Sequence, residues 1–190
     1  MVSWFLKLVS PFVKWIGKLH WPFTDRKLTG RDYYLVRDDV YPGATLLLSK
    51  KWEPSNLINR AKYKHASLYL GGDKVKYCYE AVGSGVRPLS LVDSIMKSDG
   101  LVICAPKFLK TGDIEKLRGI AKSKVGLPYD YWFNLGNKQL YCFEFNAVCY
   151  KELYPDLPLK TKVIAGLKIY DWETFVDSEL FDVSIVNQAG

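Results

Sequence analysis

The fold of this chain is decided by one short stretch, Lys64-His65-Ala66-Ser67-Leu68-Tyr69-Leu70-Gly71-Gly72. Its side chains alternate between two faces, as in a β-strand, so that His65 shares a face with the residues two and four positions later. A second strand-like stretch follows at residues 75–82, and the glycines between the two predict a β-hairpin with its loop at Gly71–Lys74. The sequence therefore predicts an antiparallel sheet around His65.

The predicted hairpin places particular side chains opposite each other. If Leu70 faces Val75, the pairing brings Glu80 opposite His65 on the same face of the sheet. A carboxylate in that position can accept the second ring N–H of the imidazole, which fixes the tautomer and stabilises the imidazolium ion. We therefore predict that Glu80 orients His65. The alternative is that Glu80 simply pairs with Arg87.

A cysteine lies at the predicted start of a helix further along the chain. The helix should run from about residue 142 to 153 and stop before Pro155, with Cys142 in its first turn. A helix N-terminus and a nearby imidazole both favour the thiolate, which is the nucleophilic form of cysteine. The leading hypothesis is a cysteine hydrolase or acyltransferase with Cys142 as nucleophile and His65 as base. Cys142 could equally be a small buried hydrophobic residue.

The remaining cysteines and the charge pattern narrow the function classes. Cys78, Cys104 and Cys149 are predicted core residues, because nothing near them in the sequence would favour a thiolate. The four cysteines form no C-x-x-C pair and no metal-ligand spacing with the two histidines, so neither a metal nor a cofactor is predicted. The net charge is +7, but the basic residues are scattered, and nucleic acid is not an expected partner.

Length and periodicity predict one α+β domain. The chain has 190 residues, of which 48% are hydrophobic, and this suits a single well-filled core. Short strands are predicted at 33–37, 44–49, 64–70, 75–82 and 101–105, with helical segments near 90–97, 113–125 and 142–153 and a loop or short helix at 51–61. The domain should span residues 33–190.

The first twenty residues form a separate pattern. Apolar side chains recur at helical spacing, and Lys7, Lys14 and Lys18 share the opposite stripe, which predicts an amphipathic helix within 1–23, followed by a linker at 24–32. The lysines interrupt the apolar stretch, so neither a signal peptide nor a membrane span is predicted. The helix either packs on its own domain or on a partner protein, or it lies on a membrane surface. A cytoplasmic or virion-associated location is expected. If the helix lies on a membrane surface, the protein would be a peripheral membrane protein.

Five motifs in this order resemble a known family. They are residues 42–47, 64–71, 79–86, 126–131 and 141–144, and they resemble the permuted papain-like amidases, the YiiX-like branch of the NlpC-type cell-wall peptidases. The resemblance implies a small, circularly permuted papain-like fold whose triad is Cys142, His65 and Glu80, with no cofactor. Two positions depart from the family pattern, since Ala44 replaces its usual aspartate and Phe143 its usual serine.

Three functions remain open on these grounds. The first is a cysteine amidase or peptidase that cuts amide bonds, for example in peptidoglycan stem peptides after delivery by a virion. The second is a membrane-associated lipid acyl hydrolase or acyltransferase, which the amphipathic segment favours. The third is an inactive structural or virion component, which the replacement at Phe143 permits. A selective thiol probe distinguishes the third from the other two.

Overall fold

The computed structural model describes residues 28–49, 61–136, 138–164, 166–177 and 179–187. The amphipathic helix predicted within residues 1–23 lies outside these ranges, as does nearly all of the loop or helix predicted at 51–61. Within the described ranges, no helix has the length and apolar character needed to cross a membrane.

The described chain forms one large antiparallel sheet, one small hairpin, four α-helices and two short 3₁₀ helices, Thr111–Asp113 and Trp172–Thr174. The strands are β1 Thr45–Ser49, β2 His65–Gly71, β3 Tyr77–Val82, β4 Gly85–Ser90, β5 Gly100–Pro106, β6 Lys162–Ile164, β7 Leu167–Ile169 and β8 Phe181–Asn187. The large sheet has the strand order β4-β3-β2-β1-β5-β8, and the small one pairs β6 with β7. The helices are α1 Gly30–Arg37, α2 Leu91–Met96, α3 Ile114–Ser123 and α4 Cys142–Leu153.

Helices cover both faces of the large sheet. Residues of α3 and α4 pack against one face in the larger hydrophobic cluster, and residues of α1 and α2 pack against the other face in a second cluster. Strand β1 is buried along its whole length, because it lies in the middle of a sheet that is covered on both sides. The result is an α+β domain with an antiparallel sheet, as predicted.

Most predicted elements of the domain are present. The strands predicted at 44–49, 64–70 and 101–105 correspond to β1, β2 and β5, and the helical segments near 90–97 and 113–125 correspond to α2 and α3. Helix α4 has the bounds that its sequence pattern predicts, Cys142–Leu153.

The strand predicted at 33–37 is wrong, because these residues belong to helix α1. The aromatic and β-branched residues of this stretch favour a strand locally, but a capping interaction starts a helix before them. The Asp32 carboxylate accepts hydrogen bonds from the backbone N–H of Thr29 at 2.7 Å and from its hydroxyl at 2.8 Å. Leu28 and Val36 then bury their side chains in the second cluster.

The predicted hairpin register is also wrong, by two residues. Glu80 lies opposite Ser67 rather than His65, and a bulge between Tyr69 and Gly71 separates the two pairings nearest the loop. The loop is longer than predicted because β3 begins only at Tyr77. A shift of two residues keeps every side chain on its original face of the sheet, since that face repeats every second residue. His65 and Glu80 therefore still share a face, and they meet diagonally across β2 and β3.

Candidate active site

Cys142 is the first residue of α4, and α4 packs against β2 and β3. This packing brings the start of the helix to the start of β2, where Cys142 Sγ lies 3.9 Å from the backbone carbonyl oxygen of Lys64. The Asn146 side chain donates a hydrogen bond of 2.9 Å to the Cys142 carbonyl and accepts one of 3.1 Å from Thr45 on β1. The first turn of α4 is therefore attached to the sheet.

His65 lies between the other two predicted site residues. Its Nε2 atom is 2.7 Å from Glu80 Oε2, and the Cys142 side chain lies close enough to raise the pKa of the imidazole. Because Nε2 faces the carboxylate, Nδ1 is the ring nitrogen left for the sulfur atom. The structure thus brings together Cys142, His65 and Glu80, although they come from a helix and two different strands.

The surroundings of His65 favour its charged form. Burial acts to lower the pKa of the imidazole, but the hydrogen bonds and negative charges of Cys142 and Glu80 outweigh it and raise the pKa to about 9. Burial acts to raise the pKa of the Glu80 carboxyl. The hydrogen bonds and positive charges of His65 and Arg87 outweigh burial and lower that pKa to about 2. At neutral pH a positive imidazolium therefore lies beside Cys142 Sγ, with a negative carboxylate behind it.

Glu80 pairs with Arg87 as well as with His65. Arg87 donates to Glu80 Oε1 from Nε at 3.0 Å and from Nη2 at 2.8 Å, while the other carboxylate oxygen faces the imidazole. The two partners that the sequence left as alternatives are therefore both present.

Tyr129 is a further neighbour of the sulfur atom, and the sequence pattern gave it no role. Burial, and after it the neighbouring Cys142 sulfur, raises the pKa of the Tyr129 phenol well above its ordinary value. Tyr129 therefore remains a neutral O–H donor. The only sequence signal for it was its place in the motif at residues 126–131.

The other three cysteines lie in the core, as predicted. Their side chains are completely buried, whereas Cys142 is 4% exposed. Burial raises the pKa of the Cys104 thiol to about 12 and raises the pKa values of Cys78 and Cys149 as well. These thiols stay protonated and unreactive at neutral pH.

The two departures from the family pattern are accommodated in the core. The Phe143 ring stacks on that of Phe175, with 6.4 Å between the ring centroids, and both rings belong to the larger hydrophobic cluster. Ala44 is completely buried in the second cluster, where an aspartate would be costly. The Phe143 ring thus extends the hydrophobic core rather than taking a place in the group around Cys142 Sγ.

Two buried carboxyl groups lie behind the first turn of α4. Glu144 accepts a hydrogen bond of 2.8 Å from the backbone N–H of Gly136, and Asp130 accepts one of 2.8 Å from that of Trp132. The second oxygen of each carboxyl group is buried without a hydrogen-bond partner. Burial, with a further contribution from the negative charge of Asp130, raises the pKa of Glu144 to about 7. The Glu144 side chain thus attaches the loop at Gly136 to the first turn of α4.

We expect Glu144→Gln to stabilise the protein at pH 8. The pKa of Glu144 is raised on folding, so ionisation of Glu144 lowers the free energy of unfolding as the pH rises from about 4.5 to about 7, by at most about 3 kcal/mol. Glutamine cannot ionise and keeps an oxygen for the Gly136 N–H. Urea denaturation at pH 5 and pH 8 measures the effect, and Glu115→Gln on exposed α3 is the control. A Glu144→Gln variant that is less stable than wild type at pH 8 would contradict this account.

These features define a class: a papain-like α+β domain with a cysteine at a helix start and a histidine on the facing strand. Residues 39–174 match the family described as permuted papain-like amidase enzyme, YaeF/YiiX, C92 family, and the chain belongs to that family. A solved structure with the same fold is that of yiiX from Escherichia coli O157:H7, described as a metalloprotein, with a TM-score of 0.65 and 18% sequence identity over 76% of this chain and 96% of that one. A search of curated proteins finds no match.

The metal in that description has no counterpart among the described residues. In the part of the chain that the structure describes, no group of three or more His, Cys, Asp or Glu side chains is arranged to hold a metal ion. The described residues therefore do not fit a metal centre.

Proposed function

We propose that this chain is a cysteine amidase with Cys142 as nucleophile, His65 as proton donor and acceptor, and Glu80 as the residue that orients His65. Membership of an amidase family supports the reaction class. The arrangement of His65 between Glu80, at 2.7 Å, and the Cys142 side chain supports the residue roles. This arrangement is the observation on which the proposal rests.

The charge distribution suggests the order of the proton transfers. Because the pKa of His65 is raised to about 9, the imidazole holds its proton before substrate arrives. An imidazolium ion and a helix N-terminus both favour the nucleophilic form of a neighbouring cysteine. The sulfur attacks the amide carbonyl carbon, and the tetrahedral intermediate collapses as His65 gives its proton to the leaving amine. His65, now neutral, takes a proton from water, which attacks the thioester, releases the acid and restores the thiolate–imidazolium pair.

Two donors are placed to stabilise the oxyanion of the tetrahedral intermediate. The backbone N–H of Cys142 lies in the first turn of α4 and has no partner within its helix. The Tyr129 side chain is a neighbour of the sulfur atom and its hydroxyl stays protonated, so it can turn to an oxyanion that forms next to that sulfur. One backbone donor and one side-chain donor would then share the developing charge.

The amide substrate is proposed from the resemblance to cell-wall peptidases. Stem peptides of peptidoglycan are the first substrates to test, with delivery by a virion as a route to the cell wall. The N-terminal residues 1–20 are proposed to bind a membrane surface or a protein partner, because their pattern is amphipathic.

A second candidate function is hydrolysis or transfer of a lipid acyl group, and exposed apolar side chains beside the site favour it. The Phe133 ring contacts that of Tyr141, at 4.9 Å between centroids, and Tyr141 accepts a hydrogen bond of 2.7 Å from the backbone of Tyr170, next to β7. Tyr141 precedes the nucleophile. The loop and the hairpin that meet at Tyr141 present apolar side chains at least 40% exposed, namely Phe133, Leu135, Val163, Ile164 and Leu167.

A direct comparison of substrates separates the two candidates. If the protein is an amidase, it should cleave a stem-peptide amide and leave a long-chain acyl ester in vesicles uncleaved. Under the second, the preference is reversed, and replacing both Ile164 and Leu167 with serine lowers the rate on vesicles but not on a short soluble ester.

Selective alkylation tests the proposed nucleophile without any substrate. We expect iodoacetamide at pH 7 to modify Cys142 in the folded protein and to leave Cys78, Cys104 and Cys149 unmodified, because the last three are completely buried thiols with raised pKa values. Peptide mass spectrometry after a short exposure measures the result, and the unfolded chain, in which all four should react, is the control. Modification of another cysteine before Cys142 would refute the assignment.

A further inference from the structure

Three side chains from three adjacent strands form a row on one face of the sheet. His65 is on β2, Glu80 on β3 and Arg87 on β4, which is an edge strand of the sheet. Glu80 and Arg87 are directly opposite each other in the β3–β4 register. The carboxylate is 6% exposed and the guanidinium is 49% exposed, so Arg87 links a buried charge to solvent.

The hydrogen bonds divide the carboxylate between its two partners. Arg87 uses both Nε and Nη2 on Oε1, and His65 is bound to Oε2 alone. A carboxylate with only His65 as a partner could rotate and present either oxygen, or both, to the imidazole. Two donors on Oε1 remove that freedom.

The charge of Arg87 differs from that of His65 in being permanent. In the proposed mechanism His65 becomes neutral when it protonates the leaving amine, and at that moment Glu80 would be a buried carboxylate without a cation. An arginine stays charged at every working pH, so Glu80 keeps a cationic partner throughout the cycle and does not take the Nε2 proton.

We propose that Arg87 is a positioning residue, whose guanidinium holds Glu80 Oε1 and thereby reserves Oε2 for His65. This role rests on the proposed function, but it is stated for atoms that can be observed without turnover. It assigns to Arg87 both a geometric task, which needs two donors, and an electrostatic task, which needs a positive charge.

Two substitutions separate these tasks. Arg87→Met removes both the donors and the charge, and Arg87→Lys keeps the charge but not the two-donor contact. The matched control is Arg37→Met, because Arg37, the last residue of α1, makes a similar two-donor pair with Asp38, at 2.9 and 2.8 Å, far along the chain from the site. Arg87 lies half exposed on an edge strand, where such replacements are tolerated.

The first readout is the titration of Glu80, followed by carbon-13 NMR of the labelled glutamate carboxyl groups and assigned with Glu80→Gln. We expect the pKa of Glu80 to rise by about one unit or more in Arg87→Met, and to stay within about half a unit of wild type in Arg87→Lys and Arg37→Met. An unchanged titration of Glu80 in Arg87→Met would overturn the proposal.

The second readout is turnover. We expect kcat to fall about 10-fold to 100-fold in Arg87→Met and by a smaller factor in Arg87→Lys, with KM nearly unchanged in both. Equal kcat in wild type and Arg87→Met would also overturn the proposal. If the wild-type protein cleaves no amide while the Glu80 titration shifts as expected, the proposed function fails and the positioning of Glu80 by Arg87 stands.

Discussion

Replacing Cys142 with alanine is expected to lower kcat/KM for amide hydrolysis by about 10⁴-fold or more, because no other side chain of the site can form the acyl intermediate. The fold should persist, since Cys142 is a small residue at a helix start and it accepts the hydrogen bond from the Asn146 side chain through its backbone carbonyl, which alanine keeps. Substrate should still bind. Initial rates with a chromogenic amide, compared with the free energy of unfolding of the same variant, measure the effect.

Cys149→Ala is the matched control for this prediction. It removes a thiol from the same helix, two turns further on, where the side chain is completely buried in the core. We expect its activity to stay near that of wild type, with only a loss of stability. If Cys149→Ala loses activity as completely as Cys142→Ala, the thiol at 142 has no special role and the nucleophile must be sought elsewhere.

Replacing Glu80 with glutamine is expected to lower kcat by about 10²-fold to 10⁴-fold, in the range seen when the acid of a hydrolytic triad is converted to its amide. Glutamine can still accept from Arg87 through its oxygen, but it then presents an N–H₂ donor to the protonated Nε2 of His65, and it cannot stabilise imidazolium. The pKa of His65, about 9 in the wild type, should fall.

The pH dependence of Cys142 alkylation reports this change. In the wild type His65 keeps its proton until the pH rises through about 9. The alkylation rate of Cys142 should therefore change near that pH. The stability that His65 contributes by its raised pKa is fully present below about pH 6.5 and is lost as the pH rises from there through about 9. In Glu80→Gln the alkaline change should move to lower pH. A profile that superimposes on that of the wild type would remove Glu80 from the mechanism.

Apolar runs bounded by turn residues predicted much of the fold, because strands that are covered on both faces are buried along nearly their whole length. The site depended on a weaker inference, the hairpin register, and that register was wrong by two residues. His65 and Glu80 nevertheless share a face, because a shift of two residues leaves each side chain on the same side of the sheet. An error of one residue would have placed them on opposite sides of the sheet.

The features that the sequence did not predict depend on particular hydrogen bonds and on burial rather than on periodicity. Helix α1 was missed because its start is set by hydrogen bonds between Thr29 and Asp32, while its aromatic residues favour a strand. Tyr129 reaches Cys142 from a loop thirteen positions earlier, and no periodic pattern predicts such a contact. The unpartnered oxygens of Asp130 and Glu144 depend on burial in the folded domain.

The order of elements along the chain determines when the site can exist during synthesis. Strands β1 to β5 all precede residue 107, so five neighbours of the large sheet, including the one that carries His65, leave the ribosome before Cys142 is made. Phe175 and Phe181, which pack with Tyr150 of α4, follow later still. A nascent chain therefore carries His65 long before Cys142, and the proposed pairing of the two residues can form only when the polypeptide is nearly complete.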